Sequence, residues 1–329
     1  MPVIMKFGGS SLEDAEAMSR SAAIIAKARA EGREVVAVLS AQGDTTDGLE
    51  QTAHTIDPSP PARERDSLLS VGEQISTALM AMLLQREGWE AVSLTGWQMG
   101  IHTDANHGSA AIERIMPERI QKELAAGRIV LAAGFQGVNG SSDITTLGRG
   151  GSDTTAAALA AALGERECLI YTDVAGVYTA DPRLVPEAAR YEKLTYREML
   201  CMAERGAKVL AAESVRSAMK NNVILRVRSS RGESGESRIV PDEGEPGPRL
   251  LAVTRQKRGK DAAVSLIGQV REEEKELAEK LVCEAGAELK ETKLTQTGLE
   301  LTMPWEKSLQ AIRLLHREFL AKKEEKTGT

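Results

Sequence analysis

Short apolar runs alternate with longer stretches of helical period through the first 230 residues of the chain. VIMKF at 3–7 is followed by a helical stretch ending near Gly32, then by VVAVLS at 35–40. A helix over about 63–86 precedes AVSLTG at 91–96, and another near 113–126 leads to IVLAAGF at 129–135. The alanine-rich stretch from Asp153 to Leu163 reads as a helix stopped by Gly164, and it precedes CLIYTD at 168–173. Helices near 195–204 and 207–220 lead to VILRVRS at 223–229. Continuous apolar strands separated by helices predict a mainly parallel sheet covered on both faces. Ligands in such sheets bind at the carboxyl ends of the strands. There this sequence concentrates its glycines.

The pattern changes after residue 229. SRGESGESRIVPDEGEPGP at 230–248 has the composition of a linker, with one short strand at RIV. Residues 250–329 then read strand, helix, strand, strand, helix: AAVSLIG, EEKELAEKLVCEAG, the hairpin AELKETKL and GLELTM, and amphipathic SLQAIRLLHREFLAKK. This predicts a small α+β unit, closed by KKEEKTGT as a solvated tail. The expected organisation is an α/β domain over 1–230, a linker over 231–249 and an α+β domain over 250–329.

Composition narrows the partners. A hydrophobic content of 42% and a charged content of 27% are ordinary for a globular chain of 329 residues. The net charge is −6 with no basic stripe, which disfavours nucleic acid and anionic membranes. Apolar runs such as ALMAMLL at 78–84 are too short to span a bilayer, and the opening VIMKF has no leader pattern. A cytoplasmic location is the expectation. Cys168, Cys201 and Cys283 sit in apolar patterns and read as buried thiols, not as disulfides or a zinc site. The four histidines show no metal-ligand spacing, so no cage of protein metal ligands is expected.

Candidate chemistry gathers in five stretches. In TLGRGGSDTTA at 146–156, Gly150 and Gly151 permit a sharp bend, and Ser152 or Asp153 would cap the helix that follows. The remaining N–H groups and the helix dipole form an anion site, and the Arg149 guanidinium beside it suits a carboxylate or phosphate. KFGGSS at 6–11 places two glycines between strand and helix behind Lys6, a phosphate cradle without the Walker spacing. SAQGDTTD at 40–47 offers hydroxyls, and SVGEQIS at 70–76 sets a glycine beside Glu73, which can receive an ammonium. TDVAGVYTADPR at 172–183 ends an apolar strand with groups for a nucleotide. Each stretch taken alone also reads as an ordinary turn, cap or solvated face.

Together these residue types fit one reaction class. There are anion cradles, cations and a glutamate, but no histidine placed as a base and no Ser–His or Cys–His pair. A carboxylate acceptor of phosphoryl groups needs no base, because its pKa of about 3.9 leaves it ionised at neutral pH. The difficulty is repulsion: two like charges about 4 Å apart cost roughly 4 kcal/mol at an effective dielectric of about 20. Cations and backbone N–H groups must offset it.

KFGGSS, SVGEQIS, LTGWQMGIHTD, GFQG, TLGRGGSDTTA, TDVAGVYTADPR and GAKVL occur in the order and spacing of the aspartokinases, members of the amino acid kinase superfamily. The resemblance covers essentially residues 1–230. It implies phosphorylation of L-aspartate on its side-chain carboxylate by Mg-ATP, the first step towards lysine, threonine and methionine. It also implies a three-layer, mostly parallel sheet sandwiched by helices and a C-terminal ACT-like region. By motif position, Lys6, Asp153 and Lys208 of GAKVL would be catalytic. Thr46, Glu73 and Arg149, with Gly150, Gly151 and Ser152, would meet aspartate. Lys6, Gly8, Gly9, Ser10, Thr172, Asp173, Tyr178, Arg183 and Lys208 would meet ATP, with Mg2+ carried mainly on its phosphates.

Three departures follow from the same comparison. Ala175 stands where the nucleotide loop usually has a second aspartate, and Ala211, Ala212 and Glu213 stand where His-Pro-Arg is usual. Residues 250–329 leave room for one ACT unit where the family commonly carries two. The loop Gly268-Gln269-Val270 lacks the longer turn that usually holds an effector amino acid, so weak or no inhibition by lysine or threonine is expected. A half-covered sheet with an open edge favours a homodimer through this region. The alternatives are a kinase for another amino acid and a catalytically weak regulatory or assembly homologue.

Overall fold

The computed structural model describes residues 1–242 and 249–321. Part of the expected linker, 243–248, and the whole closing tail, 322–329, lie outside the described residues. The chain divides into two compact units: Met1–Ala175 with Ala211–Val240, and Gly176–Leu210 with Pro241 onward. The division does not follow the sequence boundaries at 230 and 249. Ala180 and Val185 bury into the same apolar cluster as Val253, Val264, Ile312 and Phe319, which joins the segment after Ala175 to the C-terminal elements.

In the first unit the main sheet runs in the order Glu236–Val240, Ile224–Ser229, Glu167–Thr172, Val3–Phe7, Val35–Leu39, Ile129–Ala133, Ala91–Leu94. Every pairing is parallel except that of the short strand Glu236–Val240 with Ile224–Ser229. Val3–Phe7, Val35–Leu39 and Ile129–Ala133 are buried along their whole length, as an apolar run covered on both faces requires. A second, four-stranded sheet joins Ile112–Ile115, Ile101–Thr103, Gln136–Val138 and Ile144–Thr146. It replaces the start of the helix expected near 113–126, which begins only at Glu118. The helix expected over 63–86 is two, Ala62–Leu69 and Val71–Arg86, meeting at Ser70. The segment Ala62–Arg86 is long and apolar enough by composition to cross a membrane, but half of its most apolar window is buried and it carries buried Asp66 and Glu73. These features fit a core helix pair.

The second unit holds an antiparallel sheet in the order Leu250–Arg258, Asp261–Gly268, Gly298–Pro304, Glu291–Thr295, with helices Glu272–Glu284 and Trp305–Phe319. This is the ACT-like α+β unit, with one strand more than the sequence suggested. Leu250–Arg258 ends in polar, exposed residues, which hid its strand character. The expected half-covered sheet is corrected at its centre. Asp261–Gly268 is buried on both faces, because the helix Tyr196–Glu204 also packs against it. Of the three free cysteines only Cys168 is buried; Cys283 is exposed, on the outer side of an amphipathic helix.

Candidate active site

Lys6 sits near the carboxyl end of the strand Val3–Phe7 with only 8% of its surface exposed. Its Nζ lies 2.6 Å from Oδ1 of Asp153, in the first turn of the helix Gly151–Ala162. That helix starts two residues before the expected Asp153. Gly150, at φ 75°, turns the chain in left-handed geometry, and no side chain caps the helix. Neither Ser152 nor Asp153 serves as cap: the Asp153 carboxylate turns to Lys6, leaving the helix mouth open to an anion. The glycines permit this packing. A Cβ on Gly134 would meet Ser152 Oγ at 2.7 Å, and one on Gly151 would meet the Phe135 ring at 2.7 Å. Phe135 itself holds φ at 70°, a strained value for a bulky residue.

Glu73 joins this cluster through a second close approach. A Cβ on Gly72 would lie 2.8 Å from Ala41 Cβ, so the glycine lets the helix Val71–Arg86 nest on the loop after Val35–Leu39. Glu73 Oε1 accepts from the Ala41 N–H at 3.1 Å, while Oε2 is buried with no hydrogen-bond partner among the described residues. Burial pushes the Glu73 carboxyl up to about 7, against the opposing pull of the Ala41 N–H and the Lys6 ammonium. That unpartnered buried oxygen makes Glu73 a candidate to meet a cation.

The glycine loop divides its work. Gly8 donates its N–H to Tyr171 O at 3.2 Å, and a Cβ there would sit 3.5 Å from Lys6 Nζ, on the side of the charge. Gly9 serves packing, since a Cβ would meet Ala41 O at 3.0 Å. Ser10 is half-buried in the turn Gly9–Ser11, whose Ser11 hydroxyl donates to Ser230 Oγ at 2.8 Å. Ser230 in turn donates to Thr172 O at 3.1 Å, and the Thr172 hydroxyl donates to Asp173 at 3.2 Å. Thr46 lies half-buried in the first turn of the helix Thr45–Ile56. Arg149 is exposed, with no ion pair among the described residues.

The other expected nucleotide residues belong to the second unit. Tyr178 is half-buried and pairs with Arg190 in an isolated antiparallel bridge. Arg183 is exposed and held by Asp181, its Nε and Nη2 each donating at 2.9 Å. Lys208 is exposed in the segment after the helix Tyr196–Glu204. Lys6, Glu73 and Asp153 are thus the expected residues whose side chains the structure gathers into one buried cluster. Asp66, fully buried, and half-buried His107, which the sequence reading gave no role, form a second pair; an acid in RERDSLL has no spacing or neighbour that marks it. Among the described residues no group of three or more His, Cys, Asp or Glu side chains could hold a metal ion.

The family model described as the amino acid kinase family matches residues 1–229. Aspartokinase of Corynebacterium glutamicum is 54% identical over 229 residues, covering 69% of this chain and 54% of that protein. The chain therefore spans about half the length of such curated relatives. Among solved structures, aspartate kinase from Synechocystis superposes with a TM-score of 0.66 at 28% identity, covering 97% of this chain and 69% of that one. Aspartokinase III of E. coli in complex with aspartate and ADP gives a TM-score of 0.69 at 25% identity, covering 98% and 84%.

Proposed function

The chain belongs to the amino acid kinase family, and from that premise we propose that it is an aspartate kinase. It transfers the γ-phosphoryl group of ATP to the side-chain carboxylate of L-aspartate, giving 4-phospho-L-aspartate. The observation that carries this reading is the buried Lys6–Asp153 pair beside Glu73, at the open mouth of a helix. The acceptor carboxylate is already ionised, so the site needs no base. Asp153 fixes the position of the Lys6 ammonium, and Lys6 with the first-turn N–H groups offsets the charge between acceptor and phosphates. Glu73, with one free buried oxygen, takes the amino acid's ammonium. Arg149, exposed and without an ion pair among the described residues, offers its fork to the α-carboxylate.

The donor set fits a nucleotide better than a metal held by protein. The mouth offers a cation and uncapped N–H groups, and among the described residues no acidic or histidine cluster competes for a metal. Magnesium would come on the phosphates, where it supplies charge neutralisation. Thr172 and Asp173 complete the proposed nucleotide contacts within the first unit; for Tyr178, Arg183 and Lys208 the nucleotide role rests on motif position alone. The expected cytoplasmic location goes with this soluble chemistry.

The homodimer remains part of the reading, on narrower ground. The central strand Asp261–Gly268 is already covered, so the exposed edge strand Glu291–Thr295 is the surface we assign to self-pairing. Light scattering of the full chain tests this, and a monomer removes it.

A coupled assay of ADP release with L-aspartate, L-glutamate and homoserine tests the reaction. Turnover confined to aspartate supports it; turnover with another acceptor, or none, replaces it with one of the alternatives. A catalytically weak homologue is the second reading, favoured by buried Ala175 in the nucleotide loop.

A further inference from the structure

Asp66 lies in the helix Ala62–Leu69, outside every motif above, and its side chain is fully buried. Both of its oxygens are engaged. The Thr146 hydroxyl donates to Oδ1 at 2.6 Å, while the Thr146 N–H and His107 Nδ1 donate to Oδ2 at 3.1 and 2.8 Å. The Gly108 N–H lies 3.0 Å from each oxygen. One carboxylate thus ties together its own helix, the turn at His107–Gly108 and the end of the strand Ile144–Thr146.

The two distant segments also close on each other. The Ala110 N–H donates to Thr146 O at 2.8 Å, and a Cβ on Gly148 would lie 3.1 Å from Gly108 O. Arg149 follows immediately. On the other side, the Ser70 N–H donates to Asp66 O at 3.0 Å, and Gln136 Nε2 donates to Ser70 O at 2.8 Å. Ser70 opens the helix whose first turn carries Glu73. A buried carboxylate is costly unless fully bonded, and an apolar side chain would fill the space at lower cost. An apolar side chain could not fix the backbone amides of two separate segments.

We infer that Asp66 is a positioning residue for the acceptor: it sets the separation of Arg149 from Glu73, and hence the length of the dicarboxylic amino acid that fits between them. The inference rests on the reading of those two residues as the acceptor's carboxylate and ammonium contacts.

Thr146→Val in the full chain removes one donor to Asp66 and keeps the shape; Thr146→Ser restores the donor. Asp66→Asn is the harsher variant and can fail to fold. For Thr146→Val the aspartate KM rises about tenfold, the scale of a lost bond to a buried charged group. The ATP KM stays within about twofold and the preference for aspartate over glutamate narrows; Thr146→Ser returns both to the parent values. An unchanged aspartate KM and preference beside a lowered melting temperature would make Asp66 merely structural and overturn the inference. If the parent chain turns over no aspartate, the functional reading fails instead, and hydrogen exchange then decides. Faster exchange of the amides of residues 147–150 in Thr146→Val than in parent and Thr146→Ser supports positioning; equal exchange in all three overturns it.

Discussion

Lys6 and Asp153 form a buried ion pair, 2.6 Å apart, that joins the end of a central strand to the first turn of a helix. Removing one partner leaves the other charge buried alone, which costs about 3–5 kcal/mol. Lys6→Met and Asp153→Leu should each lower the urea midpoint. The double variant, with two apolar side chains, should regain much of that stability. Activity should not return with it, because the cation facing the transferred charge is gone. ADP release should stay down by at least about a hundredfold in Lys6→Met and in the double variant. Parallel recovery of stability and turnover would reduce the pair to a structural link.

What was legible in the sequence follows from how each element is buried. Val35–Leu39 and Ile129–Ala133 are covered on both faces, so they stand out as unbroken apolar runs. IHT, IERI, QGV and ITT are three or four residues long and mix polar with apolar positions, so the small second sheet left no readable period. Lys6, Glu73 and Arg149 were found through their glycine-rich neighbours. The bond from Ala41 to Glu73 joins residues far apart in sequence, and no local pattern announces it. The helix starts at Gly151, ahead of both expected caps, because Gly150 turns the chain in left-handed geometry and the Asp153 carboxylate faces Lys6.

Glu73 gives the site a pH signature. An unfolded chain holds this carboxyl near its ordinary 4.5, whereas burial raises it to about 7 in the folded state. Between those values the folded chain binds the extra proton, so stability is full below about 4.5 and falls as pH rises to about 7. The total loss is on the order of 3 kcal/mol. Glu73→Gln should flatten that slope in urea titrations run between about pH 5 and about pH 8. An aspartate ammonium favours the ionised form, so binding should release a proton, and the aspartate KM should fall as pH rises through about 7. Calorimetry in buffers of different ionisation enthalpy reads the proton; buffer-independent heats would refute the contact.

Gly150 has two reasons to be glycine. Its φ is 75°, and a Cβ would come within 2.0 Å of Ala211 Cβ. Gly150→Ala should cost about 1–3 kcal/mol of stability and displace the turn that carries Arg149. Adding Ala211→Gly removes the collision but not the backbone strain, so it should restore only part of the loss. Full restoration in denaturant melts would show that φ matters little here.

Arg149 is tested by charge-conserving change. Arg149→Lys keeps the cation and loses the paired fork, so efficiency with aspartate should fall about 10- to 100-fold. The ATP KM should move much less. Aspartate kinetics within about twofold of the parent would remove Arg149 from the acceptor.

His316 Nε2 lies 2.8 Å from Thr179 Oγ1, and both side chains are buried within the second unit. The same hydroxyl accepts from the Ala189 N–H at 3.0 Å, while Thr179 O accepts from the Val253 N–H at 2.8 Å. Arg313 Nε adds a bond to Leu184 O at 2.8 Å. The segment carrying Tyr178 and Arg183 is therefore fastened at several points to a helix and a strand of the ACT-like fold. His316→Leu would strip the Thr179 hydroxyl of a buried partner, at a cost of about 1–3 kcal/mol. That cost should appear locally, as faster hydrogen exchange through residues 177–191, before it appears as global unfolding. If Tyr178 and Arg183 hold the nucleotide, the ATP KM should rise with the aspartate KM unchanged, and His316→Gln, which keeps a polar partner, should restore much of it. A lowered melting temperature with unchanged exchange in that segment and an unchanged ATP KM would show that His316 only fills the core.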